Sequence, residues 1–184
     1  MTGASETLRF LVMKPDRKTH FVDELRAHYA EIIANAHQAE TASAQGAHAM
    51  QSEARKKEDS KSAASEARLA AGHRQRRQQA VQELESLLAF SSRGLPRFTR
   101  GSAVELGALF DVSVEGDDGP EERTFFMLPV GAGTELHGPG GDGFISVITP
   151  TSPVGRALRG ARCGDTVEVV TQGKPREWTV VDII

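Results

Sequence analysis

Two adjacent acidic residues, Glu58 and Asp59, stand in the most polar stretch of the first half of the chain, SEARKKEDSKS, residues 52–62. Carboxylate oxygens are the ligands that Mg²⁺ prefers, so the pair could help to hold a divalent cation. Three flanking lysines would repel such an ion. Successive helix residues point about 100° apart, so both carboxylates would reach one ion only on an irregular turn. A solvated turn of mixed charge is the alternative interpretation.

The elements that position this stretch are predicted to be helical. Residues 20–90 contain two glycines and no proline, and Ala, Glu, Gln, Arg and Lys dominate them. Apolar residues recur at spacings of three and four near both ends, with small residues between them. An antiparallel hairpin would join the apolar ends and place its tip near 53–62. The predicted seam contains Phe21, Leu25, His28, Ile32, Ala36, Ala39, Ser43 and Gly46 in the first arm, and Ala64, Ala67, Ala71, Val81, Leu84 and Leu88 in the second.

The second half of the chain is predicted to be a small antiparallel β domain with one short helix, an α+β fold. We expect an N-terminal extension at 1–19, a disordered tail or an added strand, then the hairpin at 20–90, a linker at 91–100 and the domain at 101–184. Its strands are predicted at 104–114, 124–128, 144–148, 166–170 and 178–183. The segment GAGTELHGPGGDG has no phosphate-binding pattern and is predicted to be a flexible loop.

The short helix has clear end signals. Ser152 can cap it, Pro153 fits its first position, and Gly160 can end it. Val154 and Leu158 are four residues apart, which would place both against the sheet.

Composition limits the classes of function. The net charge of −3 does not suit a protein that coats nucleic acid, and a single cysteine, Cys163, allows no intrachain disulfide. The six histidines lack a metal-binding spacing. The arginines at 74, 76 and 77 form a basic helix face, solvated or in contact with a polymer backbone. We expect a cytoplasmic protein with no membrane span.

The order of motifs from Ile145 onward resembles the C-terminal domain of the Gre family of transcription elongation factors. In that family a strand leads to Ser-Pro, a short helix with Gly or Ala before Arg-Ala-Leu, a Gly-Asp turn and a final hairpin. The matching residues are Ile145, Ser152, Pro153, Arg156, Ala157, Leu158, Gly160, Gly164, Asp165 and Val167. The upstream segment VELGALFDVSVEGDDG is similar to the family's opening hairpin.

This resemblance implies an FKBP-like C-terminal fold and an accessory role rather than an enzyme activity. It implies docking on RNA polymerase at the rim of the secondary channel, with the hairpin inserted toward the active site and nucleic acid met only indirectly. The protein would be a monomer with no cofactor of its own, and the tip would approach Mg²⁺ held by the polymerase. The expected docking residues are Ser152, Pro153, Val154, Arg156 and Leu158.

The tip departs from the family pattern at one position. Cleavage-stimulating members carry Ala-Arg, then Asp, then Glu three residues later. Ala54, Arg55 and Asp59 match, whereas Ser62 replaces the second acid and Glu58 is the available substitute. A regulator that does not stimulate cleavage is therefore an open alternative. A non-catalytic interaction module and a prolyl isomerase are further alternatives, the latter disfavoured by the few aromatic residues.

Overall fold

The structure is a computed structural model, and it describes residues 17–53, 57–116, 119–138, 143–171 and 173–184. The side chains of 52–60, 116 and 171 lie outside that description. The chain divides into two compact units. One contains Arg26–Ser86, and the other contains Leu87–Ile184 together with the start of the chain as far as Leu25. The expected limits of the extension, linker and C-terminal domain stay predictions.

Two long helices form the first part of the chain, α1 at Arg17–Glu53 and α2 at Lys57–Ser91. Residues early in α1 contact residues late in α2, and later residues contact earlier ones. Glu40 meets Arg74 and Arg77, while Gly46 lies near Glu66. The two helices are therefore antiparallel, and the predicted helical hairpin is confirmed. Among the described residues, no helix has the length and apolarity needed to cross a membrane.

The predicted seam is one residue out of phase over much of its length. His28, Ala64, Ala67, Ala71 and Leu88 are exposed. Phe21, Leu25 and Ala36 are buried as predicted, whereas the other buried apolar residues are Val22, Tyr29 and Ala47 in α1, and Ala63, Ala70, Ala80 and Leu87 in α2. Adjacent positions carry the same or a similar residue type, such as Ala63 beside Ala64. Periodicity alone therefore did not indicate which of the two residues is buried.

Within the described residues, the C-terminal unit contains six strands and one short helix, which confirms the predicted α+β class. The strands are β1 Leu109–Gly116, β2 Gly119–Met127, β3 Glu135–His137, β4 Phe144–Ile148, β5 Thr166–Thr171 and β6 Lys174–Ile183, and the helix is α3 Pro153–Leu158. They form one sheet in the order β3-β4-β2-β1-β6-β5.

Two features of this sheet differ from the prediction. Strand β2 pairs with β4 in parallel, whereas every other pair is antiparallel. Strand β3 lies in the segment predicted to be a loop, and it pairs with β4 over only three residues. Strand β3 follows β2 in the sequence and lies at the edge of the sheet. The chain then turns back into β4, which therefore runs in the same direction as β2.

Each face of the sheet has a different cover. On one face, α3 and the segment around Val104 close a core in which Trp178 stacks on Phe125 with ring centroids 5.5 Å apart. On the other face, the first turns of α1 pack against β2, where Phe21 meets Phe126 edge to face at 6.4 Å. Burial of these aromatic rings contributes to the apolar packing on both faces.

Candidate functional site: hairpin tip and α3 surface

Helix α1 ends at Glu53 and α2 begins at Lys57, and the residues between them, which include Ala54 and Arg55, lie outside the described part of the structure. Glu58 and Asp59 belong to the first turn of α2, and their side chains lie outside the described part of the structure. Ser62 follows within the same helix and is exposed. The role expected for the two acids therefore stays a prediction, although the backbone places them at the start of α2.

The arms behind the tip are held close by small residues. Five alanines are buried between the helices, with exposed fractions of 6% or less: Ala36, Ala47, Ala63, Ala70 and Ala80. Small side chains let two helix backbones approach each other without a thick core between them. The hairpin is consequently thin along this part of its length.

Polar contacts fix the register of the arms. Glu40 accepts hydrogen bonds from Arg74 Nε at 2.8 Å and Arg77 Nε at 3.0 Å, and these bonds lower the pKa of its carboxyl. Burial raises the pKa of Tyr29 above its ordinary range, and a hydrogen bond to Glu83 adds to that effect. Two of the three clustered arginines therefore bind Glu40 across the hairpin.

The α3 segment folds as its end signals predict. Ser152 caps the helix, since its Oγ accepts a hydrogen bond from Gly155 N at 3.1 Å and donates one to Thr149 O at 2.8 Å. Pro153 occupies the first helical position, and Gly160 follows the helix with φ of +88°. The strand-to-helix turn is consequently rigid and compact.

The five expected docking residues divide into an inner and an outer set. Pro153 and Arg156 are exposed, and Ser152 and Val154 are half-buried, with Val154 packed against the core. Leu158 has an exposed fraction of 0% and belongs to the core. A residue four positions after Val154 lies on the same inward face, so the side chain of Leu158 is not on the surface of the described structure, and its docking role stays a prediction.

A contact between α1 and β3 was not predicted. Glu24 accepts a hydrogen bond from His137 N at 3.0 Å, and His137 Nδ1 lies 3.3 Å from the same carboxylate. His20 Nε2 lies 3.2 Å from the carbonyl oxygen of His137. The spacing of His20 and Glu24 by one helix turn was the available signal, but their partner strand was interpreted as a loop.

The described residues provide no metal centre of their own. Within the ranges given above, no group of three His, Cys, Asp or Glu side chains could hold a metal ion.

The sequence of the C-terminal unit matches a known protein family. The family described as transcription elongation factor GreA/GreB, C-terminal, matches residues 104–184, which span all six strands and α3. This C-terminal domain belongs to the GreA/GreB family. The resemblance found in the sequence is thereby confirmed, and the Ser-Pro turn and α3 are parts of a GreA/GreB domain.

Individual relatives agree with that assignment. The transcription elongation factor GreA of Methylobacterium nodulans is 35% identical over 103 residues, which cover 56% of this chain and 59% of the relative. The match thus spans less than two thirds of the relative's length.

Solved structures of Gfh1 are also similar. The Gfh1 of Thermus thermophilus, a GreA factor homolog, has 20% identity, 86% coverage of this chain, 94% of that one and a TM-score of 0.34. The Thermus aquaticus Gfh1 has 19% identity, 85% and 92% coverage and a TM-score of 0.35. At these TM-scores neither likeness adds to the assignment.

Proposed function

We propose that this protein regulates transcription elongation as an accessory factor of bacterial RNA polymerase. The observation that carries the proposal is the GreA/GreB domain at 104–184, combined with a preceding antiparallel helical hairpin. The M. nodulans relative bears the name of a transcription elongation factor. Catalysis would belong to the polymerase, and this chain would modify it.

The hairpin supplies the means of access. A narrow channel admits only a thin probe, and the alanine seam makes the two arms thin. We propose that the hairpin enters the secondary channel of the polymerase. The GreA/GreB domain would stay at the channel rim, in contact through the outer residues of α3, mainly Pro153 and Arg156.

The tip determines which kind of regulator this is. Asp59 is the residue proposed to come nearest the active site, with Glu58 beside it. A carboxylate delivered there would add an oxygen ligand to Mg²⁺ that the polymerase holds, which favours hydrolysis of backtracked RNA. Because Ser62 replaces the second acid, we propose two alternative modes of action: stimulation of RNA cleavage through Asp59, or occupation of the channel without such stimulation.

RNA cleavage in stalled, backtracked polymerase complexes separates these forms. Wild type, Asp59→Ala and Ser62→Glu would be compared, with Glu31→Ala as a control for loss of one exposed acid far from the turn. Stimulation that Asp59→Ala abolishes supports a single-carboxylate mechanism. Protection of the complex against a cleavage-stimulating Gre factor supports channel occupation. No binding to the polymerase and no effect on stalled complexes would refute the proposed function.

The docking surface has its own test. Arg156→Glu should weaken binding to RNA polymerase while leaving the stability of the domain unchanged, because Arg156 is exposed. Leu158→Ala should lower the unfolding free energy by about 2–5 kcal/mol, since it empties part of the core. Equal polymerase affinity of wild type and Arg156→Glu would remove α3 from the proposed contact.

A further inference from the structure

Two segments of the C-terminal unit are rich in arginine. Each of the segments 92–109 and 150–164 contains three arginines and no lysine, and Glu105 is the only acid in either of them. The arginines are Arg93, Arg97, Arg100, Arg156, Arg159 and Arg162. The function proposed above uses Arg156 alone, so the other five arginines have no role in it.

The fold brings these two segments side by side. Val104 N donates to Ala161 O at 2.8 Å, and Gly160 N donates to Val104 O at the same distance. Residues 103 and 162 form an antiparallel bridge. The arginines at 100, 159 and 162 are therefore brought to one part of the surface, and the arginine at 156 lies three residues before the one at 159. All four side chains are exposed, and we call them the arginine surface.

Three of these side chains are already held by the domain itself. Their hydrogen bonds run from Arg159 Nε to Glu105 Oε2 at 3.0 Å, from Arg162 Nη1 to Gly101 O at 2.6 Å, and from Arg100 Nε to Cys163 Sγ at 3.4 Å. A guanidinium has five N–H donors, so each of these bonds leaves most donors for another molecule. Side chains that are held before binding lose less conformational freedom when a partner arrives.

An acidic protein surface fits the chemistry of the arginine surface. A planar guanidinium can bind a carboxylate through two parallel hydrogen bonds. Apolar groups lie beside Arg156, since Pro153 is exposed and Val154 and Ala157 are half-buried. Arginine next to apolar side chains is typical of the contact surfaces between proteins. A protein partner can cover both kinds of group, whereas a phosphate backbone would use the arginines only.

The charge of the rest of the molecule disfavours a nucleic acid as the partner. The chain has a net charge of −3. Strands β1, β2, β5 and β6 alternate between a core face and an outer face, and the described residues of their outer face include no lysine or arginine. Its exposed acids are Glu115, Glu122, Glu168 and Glu177. A long polyanion would be repelled by these charges, whereas an acidic patch on a protein need approach the arginine surface alone.

We infer that the arginine surface docks on an acidic surface of RNA polymerase. Arg100, Arg159 and Arg162 widen the contact that α3 makes through Pro153 and Arg156. This docking rests on the proposed function, because it gives the chemistry of the contact proposed there for α3. Two consequences follow. Attachment to the polymerase weakens as salt screens the charges, and Glu105 competes with the polymerase for the guanidinium of Arg159.

The test titrates RNA polymerase onto the full chain, labelled at its N-terminal amine, and follows fluorescence anisotropy from about 0.1 M salt upward. Arg159→Gln and Arg162→Gln should each weaken binding by roughly two- to fivefold, and these differences should shrink as salt rises. Glu105→Gln should tighten binding by about twofold, because it releases Arg159 and removes an acid. Arg123→Gln is the matched control and should have no effect, since Arg123 is an exposed arginine that bonds Glu121 at 2.8 Å on β2.

Three results would overturn the inference. If wild type binds the polymerase and the Arg159 and Arg162 variants bind as Arg123→Gln does, the arginine surface is not the contact, although the proposed function stands. If wild type does not bind at all, both fail. If the same two variants weaken binding to a labelled RNA or DNA oligonucleotide without polymerase, and Arg123→Gln does not, the partner is a nucleic acid. Tighter binding by Glu105→Gln cannot come from a loss of folding, so the test does not depend on the stability of the arginine variants.

Discussion

Replacement of Gly155 by alanine tests how closely α3 approaches the strand before it. A Cβ at this position would lie 1.9 Å from the Thr149 carbonyl oxygen and 2.9 Å from Ser152 Oγ. The nearer atom is backbone, so α3 would have to move by about 1 Å or more before ordinary contact distances return. That movement strains the core at Leu158 and breaks the Ser152 cap.

The magnitude follows from these two terms. Overpacking costs about 1–3 kcal/mol, and loss of a helix cap costs about 0.5–2 kcal/mol. We therefore expect Gly155→Ala to lower the unfolding free energy of the domain by about 1.5–5 kcal/mol, a large share of the roughly 5–15 kcal/mol typical of proteins.

Urea unfolding followed by tryptophan fluorescence gives the measurement. Trp178 is the only tryptophan in the sequence, and it is buried against Phe125, so its emission reports on this domain. Gly101→Ala is the matched control, because a Cβ there meets nothing within 4 Å. A midpoint for Gly155→Ala equal to that of Gly101→Ala would refute the packing described for α3.

Three further substitutions test the hairpin and the domain core. Glu40→Gln should lower the melting temperature of the hairpin, measured by circular dichroism at neutral pH. Hydrogen bonds from arginine lower the pKa of the wild-type Glu40 carboxyl, so the difference between variant and wild type should vanish once acid protonates that carboxyl. Trp178→Phe should cost less than about 1.5 kcal/mol in urea, because it removes a buried Nε1–H that lacks a partner in the described structure; a larger loss would indicate that this N–H is satisfied. Gly107→Ala should cost about 2–4 kcal/mol, because its Cβ would lie 2.4 Å from Pro96 Cγ at a φ of +93°; wild-type stability would contradict this contact.

The sequence predicted most reliably what local chemistry determines. The ends of α3 follow from Ser152, Pro153 and Gly160, whose preferences act within a single turn. The helical character of the first half follows from composition, summed over many residues. Neither prediction needed a distant contact, and both agree with the structure.

Features that depend on distant partners were not predictable in the same way. Strand β3 is three residues long and flanked by glycines, so it carries no periodic pattern of its own, and its pairing with β4 stabilises it. The phase of the hairpin seam failed for a related reason. Ala63 and Ala64 have the same propensity, and only the position of the opposite arm buries the first of them.

The α3 motif shows that residues shared with a family do not all lie on the surface. The family motif was expected to accept glycine or alanine at position 155 and to present Leu158 to a partner. In the structure, Gly155 is required by the Thr149 carbonyl, and Leu158 holds the helix to the core. Pro153 and Arg156 remain outside. A motif residue can be required by the fold or by a contact with a partner. The sequence does not separate these two reasons, whereas the burial of the residue does. The exposed part of α3 is therefore smaller than the motif that identifies the family.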